Sequence, residues 1–205
     1  MKNKIALFVY DPKCSVQCAN GMINALSSHY EFRLFSKNEM EEGFFDDFDI
    51  VAFPGGIGDS DSFDNLLKHN KKAVTDFISR GGRYLGICMG AYWAGKNYFN
   101  ILGDTDAVQY ITQPDTDIFT EFETVATVYW HELESKMYFY DGCAFVGDLE
   151  NCDIVATYDN GDAMAIVKNN VGVIGCHPES EKWWHEGIGN YENHHGTLLH
   201  FAINL

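Results

Sequence analysis

Residues 82–92 read Gly-Arg-Tyr-Leu-Gly-Ile-Cys-Met-Gly-Ala-Tyr, and this stretch decides the fold that the sequence predicts. A strand that turns at Gly-x-Cys-x-Gly into a helix is the cysteine form of the nucleophile elbow. A side chain at the tip of so tight a turn needs small neighbours, here Gly86 and Gly90. The helix N-terminus favours a thiolate, so Cys88 is the candidate nucleophile and the Met89 N–H a candidate oxyanion donor. The alternative is that Cys88 is a core thiol and the glycines only allow strand and helix to pack closely.

A glycine-rich turn precedes the elbow by one strand–helix unit. Residues 48–53 (FDIVAF) predict a buried strand that ends in Pro54-Gly55-Gly56. Without a side chain, Gly56 can bring its backbone N–H close to a reacting carbonyl as a second oxyanion donor. In the same turn, Gly55 is expected to border the substrate. The alternative is an ordinary loop.

A histidine and a glutamate follow a later strand. Residues 171–179 read VGVIGCHPE, an apolar strand that ends in His177-Pro178-Glu179. Residues two apart in an extended segment project to the same side, so Glu179 can hold Nδ1 of His177 while Nε2 serves as the base. Together with the elbow, this motif predicts a Cys88, His177 and Glu179 triad.

The rest of the chain alternates strands and helices and then changes rhythm, which predicts one α/β domain over residues 1–205. The expected fold is a three-layer sandwich with a mostly parallel sheet and antiparallel additions in the C-terminal half. The first half predicts strands at 4–10, 30–35, 48–53 and 84–87, a turn at Asp11-Pro12-Lys13, and helices at 16–29, 63–80 and 89–95. The second half predicts strands at 122–130, 137–140, 154–158, 163–167 and 171–176, a hairpin turn at Asn160-Gly161, and a helix at 197–205.

Composition excludes some classes of function. The formal net charge of −16 argues against nucleic acid as a partner, because phosphate binding needs clustered lysine and arginine. The longest apolar stretches are too short to span a membrane. The N-terminus leaves no room for a signal peptide, so we expect a cytoplasmic protein.

The remaining cysteines and histidines predict no metal site. The six cysteines are expected to be thiols, and Cys14 and Cys18 form a C-x3-C without a second pair. His194, His195 and Glu192 lie in a polar stretch before the last predicted helix, and a metal-binding role for them is not favoured. The pairs His131-Glu132 and His185-Glu186 are interpreted as surface groups.

These motifs resemble the class I glutamine amidotransferase-like proteins, and most closely the N-terminal domain family of biotin–protein ligases. The similarity runs through the turn at residues 9–15, F-P-G-G at 53–56, the block at 81–92, Y-F-Y-D-G at 138–142 and G-C-H-P-E at 175–179. It implies a flavodoxin-like α/β/α fold and a Cys-His-Glu triad that hydrolyses a carboxamide through a thioester. It also implies that ammonia passes to a separate ATP-dependent synthetase or ligase.

One feature departs from that pattern. Amidotransferases usually place a glutamine two positions after the second glycine of the elbow, where it helps to hold the substrate, and this chain has Tyr92 there. The sequence also contains no P-loop, and no cofactor is expected. The predicted substrate is a small amide, either glutamine or another γ-glutamyl or peptide amide. The alternative is a non-catalytic binding module on the same fold.

Overall fold

The computed structural model describes residues 3–10, 16–57 and 59–205 of the 205-residue chain. Residues 11–15, with the turn expected at Asp11-Pro12-Lys13 and with Cys14, lie outside the described residues. The described strands are β1 Asn3–Phe8, β2 Tyr30–Phe35, β3 Ile50–Phe53, β4 Arg83–Ile87, β5 Thr105–Gln109, β6 Thr124–Trp130, β7 Leu133–Phe139, β8 Cys143–Gly147, β9 Asp153–Tyr158, β10 Ala163–Lys168 and β11 Val171–Ile174. The described α-helices are α1 Val16–Leu26, α2 Ser60–Leu66, α3 Lys71–Ser79, α4 Met89–Ala94 and α5 His195–Ile203.

Four strands of the N-terminal half, together with β11 from the C-terminal half, build a parallel sheet. Its strands lie in the order β2-β1-β3-β4-β11, and all four ladders between them are parallel. Side chains alternate across the sheet, so Ile5 and Leu7 of β1 face one core while Ala6 and Phe8 face the other. Helices α1 and α5 cover the first face, and α2, α3 and α4 cover the second. The predicted three-layer α/β sandwich is confirmed.

The C-terminal half extends the sheet with antiparallel strands, as predicted. The order continues from β11 through β10, β9 and β6 to β7. The hairpin between β9 and β10 turns at Asn160-Gly161, as expected. The β6–β7 hairpin turns at His131 and Glu132, whose φ angles of 47° and 68° suit a two-residue turn.

Two strands were missed by sequence reasoning. These are β5 and β8. They pair with each other, and β8 also pairs with β10, so they form a short branch of the sheet. The segment of β5, Thr-Asp-Ala-Val-Gln, has no strong apolar pattern of its own. It becomes a strand because β8 supplies a hydrogen-bonding edge some forty residues later in the chain.

The prediction of a single helix at residues 63–80 was wrong. The chain forms α2, then a 3-10 turn at Lys68–Asn70, and then α3. The Asn70 side-chain amide donates hydrogen bonds of 3.0 Å to the carbonyls of Lys37 and Met40. This attachment to a distant loop accompanies the break, although the apolar spacing is compatible with a continuous helix. None of the helices in the described residues is long and apolar enough to cross a bilayer.

Candidate active site

Cys88 lies at the turn between β4 and α4, as the elbow motif predicts. Its φ of 48° and ψ of −104° are unusual for a residue with a side chain, and such strain of about 1–3 kcal/mol concentrates at functional sites. The surroundings hold this conformation: the Cys88 N–H donates to the Ile174 carbonyl at 2.9 Å, and its own carbonyl accepts from Ala91 and Tyr92 at 2.9 and 3.0 Å. The thiol donates to the Tyr140 carbonyl at 3.5 Å.

The two glycines of the elbow are required by backbone contacts. A Cβ on Gly86 would lie 2.4 Å from the Gly90 carbonyl oxygen, and a Cβ on Gly90 would lie 2.0 Å from that of Phe53. The Tyr84 hydroxyl also donates to the Gly90 carbonyl at 2.6 Å. The tip therefore stays tight because α4 rests directly on the backbone of β3.

His177 and Glu179 form a buried pair just beyond the end of β11. His177 Nδ1 lies 2.9 Å from Glu179 Oε1, and the two side chains are 4 % and 0 % exposed. The His177 N–H donates to the Tyr138 carbonyl at 3.0 Å, which fixes the backbone beneath the ring. The ring is therefore held in the orientation expected from the H-P-E motif.

The electrostatics of this pair favour a charged imidazole. Burial alone would lower the pKa of His177, but the negative charges of Cys88 and Glu179 raise it well above its usual value. The Glu179 carboxylate is fully buried, so it needs a positive neighbour to offset its desolvation. Within the described chain His177 Nε2 makes no hydrogen bond, which leaves it available for proton transfer.

Helix α1 adds two residues to this site that sequence reasoning did not assign to it. Cys18 lies beside the imidazole; burial raises the pKa of its thiol, and the interaction with His177 opposes that rise. A Cβ on Gly21 would lie 2.3 Å from the Glu179 carbonyl oxygen, so the helix touches the H-P-E segment directly. The sequence offered only a weak signal, since residues 18, 21, 22 and 25 share the apolar face of α1.

The group Cys18, His177 and Glu179 is also the arrangement closest to a metal site in the described part of the chain. One ligand atom from each lies within 4.8 Å of the other two. His177 Nδ1 and Glu179 Oε1, however, already bond to each other. A metal held by this group would therefore compete with the His177–Glu179 contact that orients the imidazole.

Gly21→Ala is expected to displace Glu179, although Gly21 itself lies in helix α1. Alanine favours the interior of a helix by about 1 kcal/mol over glycine, but here its methyl group meets the Glu179 backbone. We expect the free energy of unfolding to fall by about 1–3 kcal/mol, as in other overpacked contacts. Alkylation of Cys88 by iodoacetamide should slow as Glu179 shifts away from His177. Unchanged stability and unchanged alkylation in purified Gly21→Ala protein would contradict this contact.

Two cavities meet at Cys88. The first cavity, of about 470 Å³, is bordered by Gly56, Met89 and Tyr92 among others. The second cavity, of about 370 Å³, is bordered by His177 and also by Gly56. Met89 is the first residue of α4, so its N–H has no acceptor within the helix.

Gly55 and Tyr92, which the sequence analysis places near the substrate, also make contacts that hold the site together. A Cβ on Gly55 would lie 2.6 Å from His177 Cε1, so this glycine packs against the imidazole. Tyr92 borders the first cavity, and its hydroxyl donates to the carbonyls of Asp141 and Gly142 at 3.1 and 3.2 Å. Burial raises the pKa of Tyr92, so its hydroxyl stays neutral. Tyr92 thus ties α4 to the loop after β7.

Of the other histidines that the sequence analysis considered, three contact neighbouring groups and one is exposed. His194 Nε2 pairs with the Lys136 carbonyl at 2.9 Å, and His195 Nε2 lies 3.3 Å from the Glu179 carbonyl. The surface interpretation of His185 was wrong, because this ring is buried and lies 3.3 Å from Ser180 Oγ. His131 is exposed in its hairpin turn. The five described cysteines, Cys18 and Cys88 included, are free thiols.

The residues after the elbow include a partial resemblance to a phosphate-binding loop. Gly90, Gly95 and Lys96 have the spacing of a P-loop, but residue 97 is asparagine rather than serine or threonine. Gly90 lies in α4 and is packed on Phe53 rather than in a loop. This segment therefore serves the elbow.

Comparisons with known proteins identify structures that share this fold. A family model described as biotin-protein ligase, N terminal, matches residues 10–110, a little under half of the chain. PurLQS from Thermotoga maritima has a TM-score of 0.68 and 15 % identity, covering 100 % of this chain and 99 % of that chain. A glutamine amidotransferase from the same organism has a TM-score of 0.65 and 12 % identity, covering 91 % and 80 %.

A third structure, from Thermoplasma acidophilum, is described as that of a GMP synthase subunit. It has a TM-score of 0.57 and 16 % identity, and the match covers 100 % of this chain and 98 % of that chain. No curated protein matches the chain in sequence. The resemblance inferred from the motifs is confirmed, and at these identities the structures establish a shared fold.

Proposed function

Because this chain has the fold of the glutamine amidotransferases, we propose that it is a cysteine-dependent amidohydrolase with Cys88, His177 and Glu179 as its triad. One observation carries the proposal. The His177 imidazole is buried, held by Glu179 through Nδ1, and placed at a cavity that Cys88 also borders. This is the arrangement in which a base activates a thiol and a carboxylate orients the base.

The reaction follows from these positions. His177 takes the proton of the Cys88 thiol, and the resulting thiolate attacks the carboxamide carbon to form a tetrahedral intermediate. His177 then gives the proton to the nitrogen, the C–N bond breaks, and ammonia leaves a thioester on Cys88. Water attacks the thioester with His177 as base, which releases the acid and restores the thiol. Glu179 stabilises the imidazolium in each half of the cycle.

The oxyanion of both intermediates needs donors beside the sulfur. Met89 at the start of α4 and Gly56 in the turn after β3 border the first cavity together with Cys88. We assign their backbone N–H groups as the two oxyanion donors. Two such donors in a site shielded from water stabilise the transition state by several kcal/mol, roughly 3–4 for each donor removed.

The fate of the ammonia belongs to the same proposal. The neighbours in fold include PurLQS and the protein described as a GMP synthase subunit. We propose that ammonia released here reaches a separate ATP-dependent synthetase or ligase, because the sequence contains no P-loop that could activate an acceptor.

Tyr92 supports a second candidate for the amide. It occupies the position where amidotransferases usually carry a glutamine, and its ring borders the first cavity. The acyl donor is then a small amide other than free glutamine, cleaved by the same chemistry. A non-catalytic binding module is disfavoured, because a buried His–Glu pair beside a thiol is costly without a function.

Labelling with an electrophilic glutamine analogue tests the proposal. A diazoketone in place of the side-chain amide should add once to the protein within minutes if the cavity accepts glutamine, and iodoacetamide should do so if the cavity accepts only another amide, as measured by intact mass. Cys88→Ala should abolish this addition, and ammonia should be released from glutamine or from a panel of small amides. If iodoacetamide reacts with Cys88 no faster than with a free thiol, and no amide yields ammonia, the amidohydrolase proposal is wrong.

A further inference from the structure

Apart from His177, which is paired with Glu179, the described charged side chains that border the two cavities at Cys88 are all acidic. Among the described residues that border them there are five carboxylates and no lysine or arginine. They come from separate parts of the chain, so the arrangement is tertiary. The first cavity contributes Asp59, Glu121 and Asp141, and the second contributes Glu123 and Glu186.

Two of these carboxylates have structural partners and three do not. Asp59 caps α2 by accepting from the Ser62 N–H at 2.6 Å, and Asp141 accepts from Gln109 Nε2 at 2.9 Å. In the described part of the chain, the side chains of Glu121, Glu123 and Glu186 make no hydrogen bond or ion pair. These three carboxylates are therefore available to a ligand.

The charges at the first cavity act on one another. Burial raises the pKa of Asp141, and the negative charge of Glu121 adds to that rise. A cation bound between them would relieve this repulsion. An anion would meet the same repulsion and would have to give up its own hydration.

The second cavity adds aromatic faces to the carboxylates. Tyr138, Tyr140, Trp183 and Trp184 border it together with Glu123 and Glu186. Trp183 and Tyr140 are 51 % and 46 % exposed, which is a high exposure for such large rings. Aromatic rings beside carboxylates bind ammonium and guanidinium groups through cation–π attraction and charge.

From this lining we infer that the acyl donor is a cationic amide, with an ammonium or guanidinium group near its carboxamide and no carboxylate there. The inference rests on the proposed amidohydrolase activity and specifies its substrate class. Free glutamine carries an α-carboxylate as well as an ammonium group, and that carboxylate would meet Glu121 in the first cavity or Glu123 and Glu186 in the second. The sheet positions the reactive groups, and the loops around it select the charge.

Three electrophiles of the same reactivity and nearly the same size test the charge selection. They are N-(2-aminoethyl)-2-chloroacetamide, which is cationic, N-ethyl-2-chloroacetamide, which is neutral, and N-chloroacetylglycine, which is anionic. Each rate of Cys88 labelling is divided by the rate with 2-mercaptoethanol, and Cys88→Ala protein serves as the blank. At low salt we expect the cation to label about tenfold or more faster than the anion, and salt should reduce this ratio.

Charge-neutral variants show whether the local carboxylates cause the ratio. The double variant Glu123→Gln/Glu186→Gln should lower the cation-to-anion ratio several-fold. The control Glu31→Gln/Glu150→Gln removes the same net charge at exposed positions that border neither cavity, and it should leave the ratio unchanged. A ratio near one, or equal effects of the two double variants, would overturn the inference.

A turnover comparison completes the test. 5-Aminopentanamide should release ammonia at least tenfold faster than glutaramate at equal concentration. If glutaramate or glutamine is hydrolysed faster, charge selection is wrong while the amidohydrolase proposal stands. The labelling ratio can be measured even on an unactivated thiol, so failure of catalysis and failure of charge selection give different results.

Discussion

Replacing His177 by alanine should slow the alkylation of Cys88 by iodoacetamide about 100-fold at pH 6. The thiolate is the reacting species, and an ordinary thiol with a pKa of about 8.5 is only about 0.3 % ionised at that pH. His177 is the group placed to take the thiol proton, so without it Cys88 must ionise as an ordinary thiol does. The measurement is the rate of mass addition, with Cys88→Ala protein as the blank.

The effect of the His177→Ala substitution on the alkylation rate should depend on pH. The imidazolium of His177 is present below its raised pKa and is lost as the pH rises through that value. The wild-type rate should therefore exceed the His177→Ala rate most clearly at low pH, and the difference between the two rates should shrink as the pH rises towards 9. Glu179→Gln removes one of the charges that raise the pKa of His177, so its rate should lie between the two. Parallel profiles for wild type and His177→Ala would contradict an ion pair at this site.

Gly90→Ala should lower the free energy of unfolding by about 3 kcal/mol or more. The added methyl carbon would lie 2.0 Å from the Phe53 carbonyl oxygen, which belongs to a central strand and cannot move alone. Overpacking usually lowers the free energy of unfolding by about 1–3 kcal/mol, occasionally more. A clash with a backbone atom that cannot move should cost about the upper limit of that range or more. For a chain of this length the thermal midpoint should fall by roughly 6–12 °C.

The chain offers a matched control for this substitution. Gly196 is the second residue of α5, as Gly90 is of α4, and a Cβ there would meet no atom within 4 Å. Gly196→Ala should leave the thermal midpoint unchanged or slightly raised, because alanine favours helices. If both variants unfold at the same temperature as wild type, α4 does not rest on β3 as described.

Much of the candidate site could be predicted because its parts are local. The elbow and the H-P-E motif each place their side chains through the backbone of a few adjacent residues. The residues around Cys88 take the expected strand–turn–helix form, and Glu179 meets His177 as the two-residue spacing requires. The parallel half of the sheet was predictable for the same reason, since apolar strands alternate with helices.

The parts that were missed depend on contacts between distant segments. Strand β5 exists because β8 lies beside it, and the break between α2 and α3 accompanies the attachment of Asn70 to residues 37 and 40. Cys18 and Gly21 reach the triad from a helix more than 150 residues before Glu179. No local pattern in α1 indicates which side of the sheet it covers or what it will touch.

The sequence by itself determined the α/β class, the identity of the three candidate catalytic residues and the turns that carry them. Backbone sterics and residue spacing act within a few residues, so these features are written in short motifs. Only the tertiary structure decided what surrounds them: the thiol of Cys18 beside His177, the hydrogen bonds that tie Tyr92 to the loop after β7, and the acidic lining. These groups come from loops far apart in the chain, and they meet only because the folded sheet brings the ends of its strands to one edge.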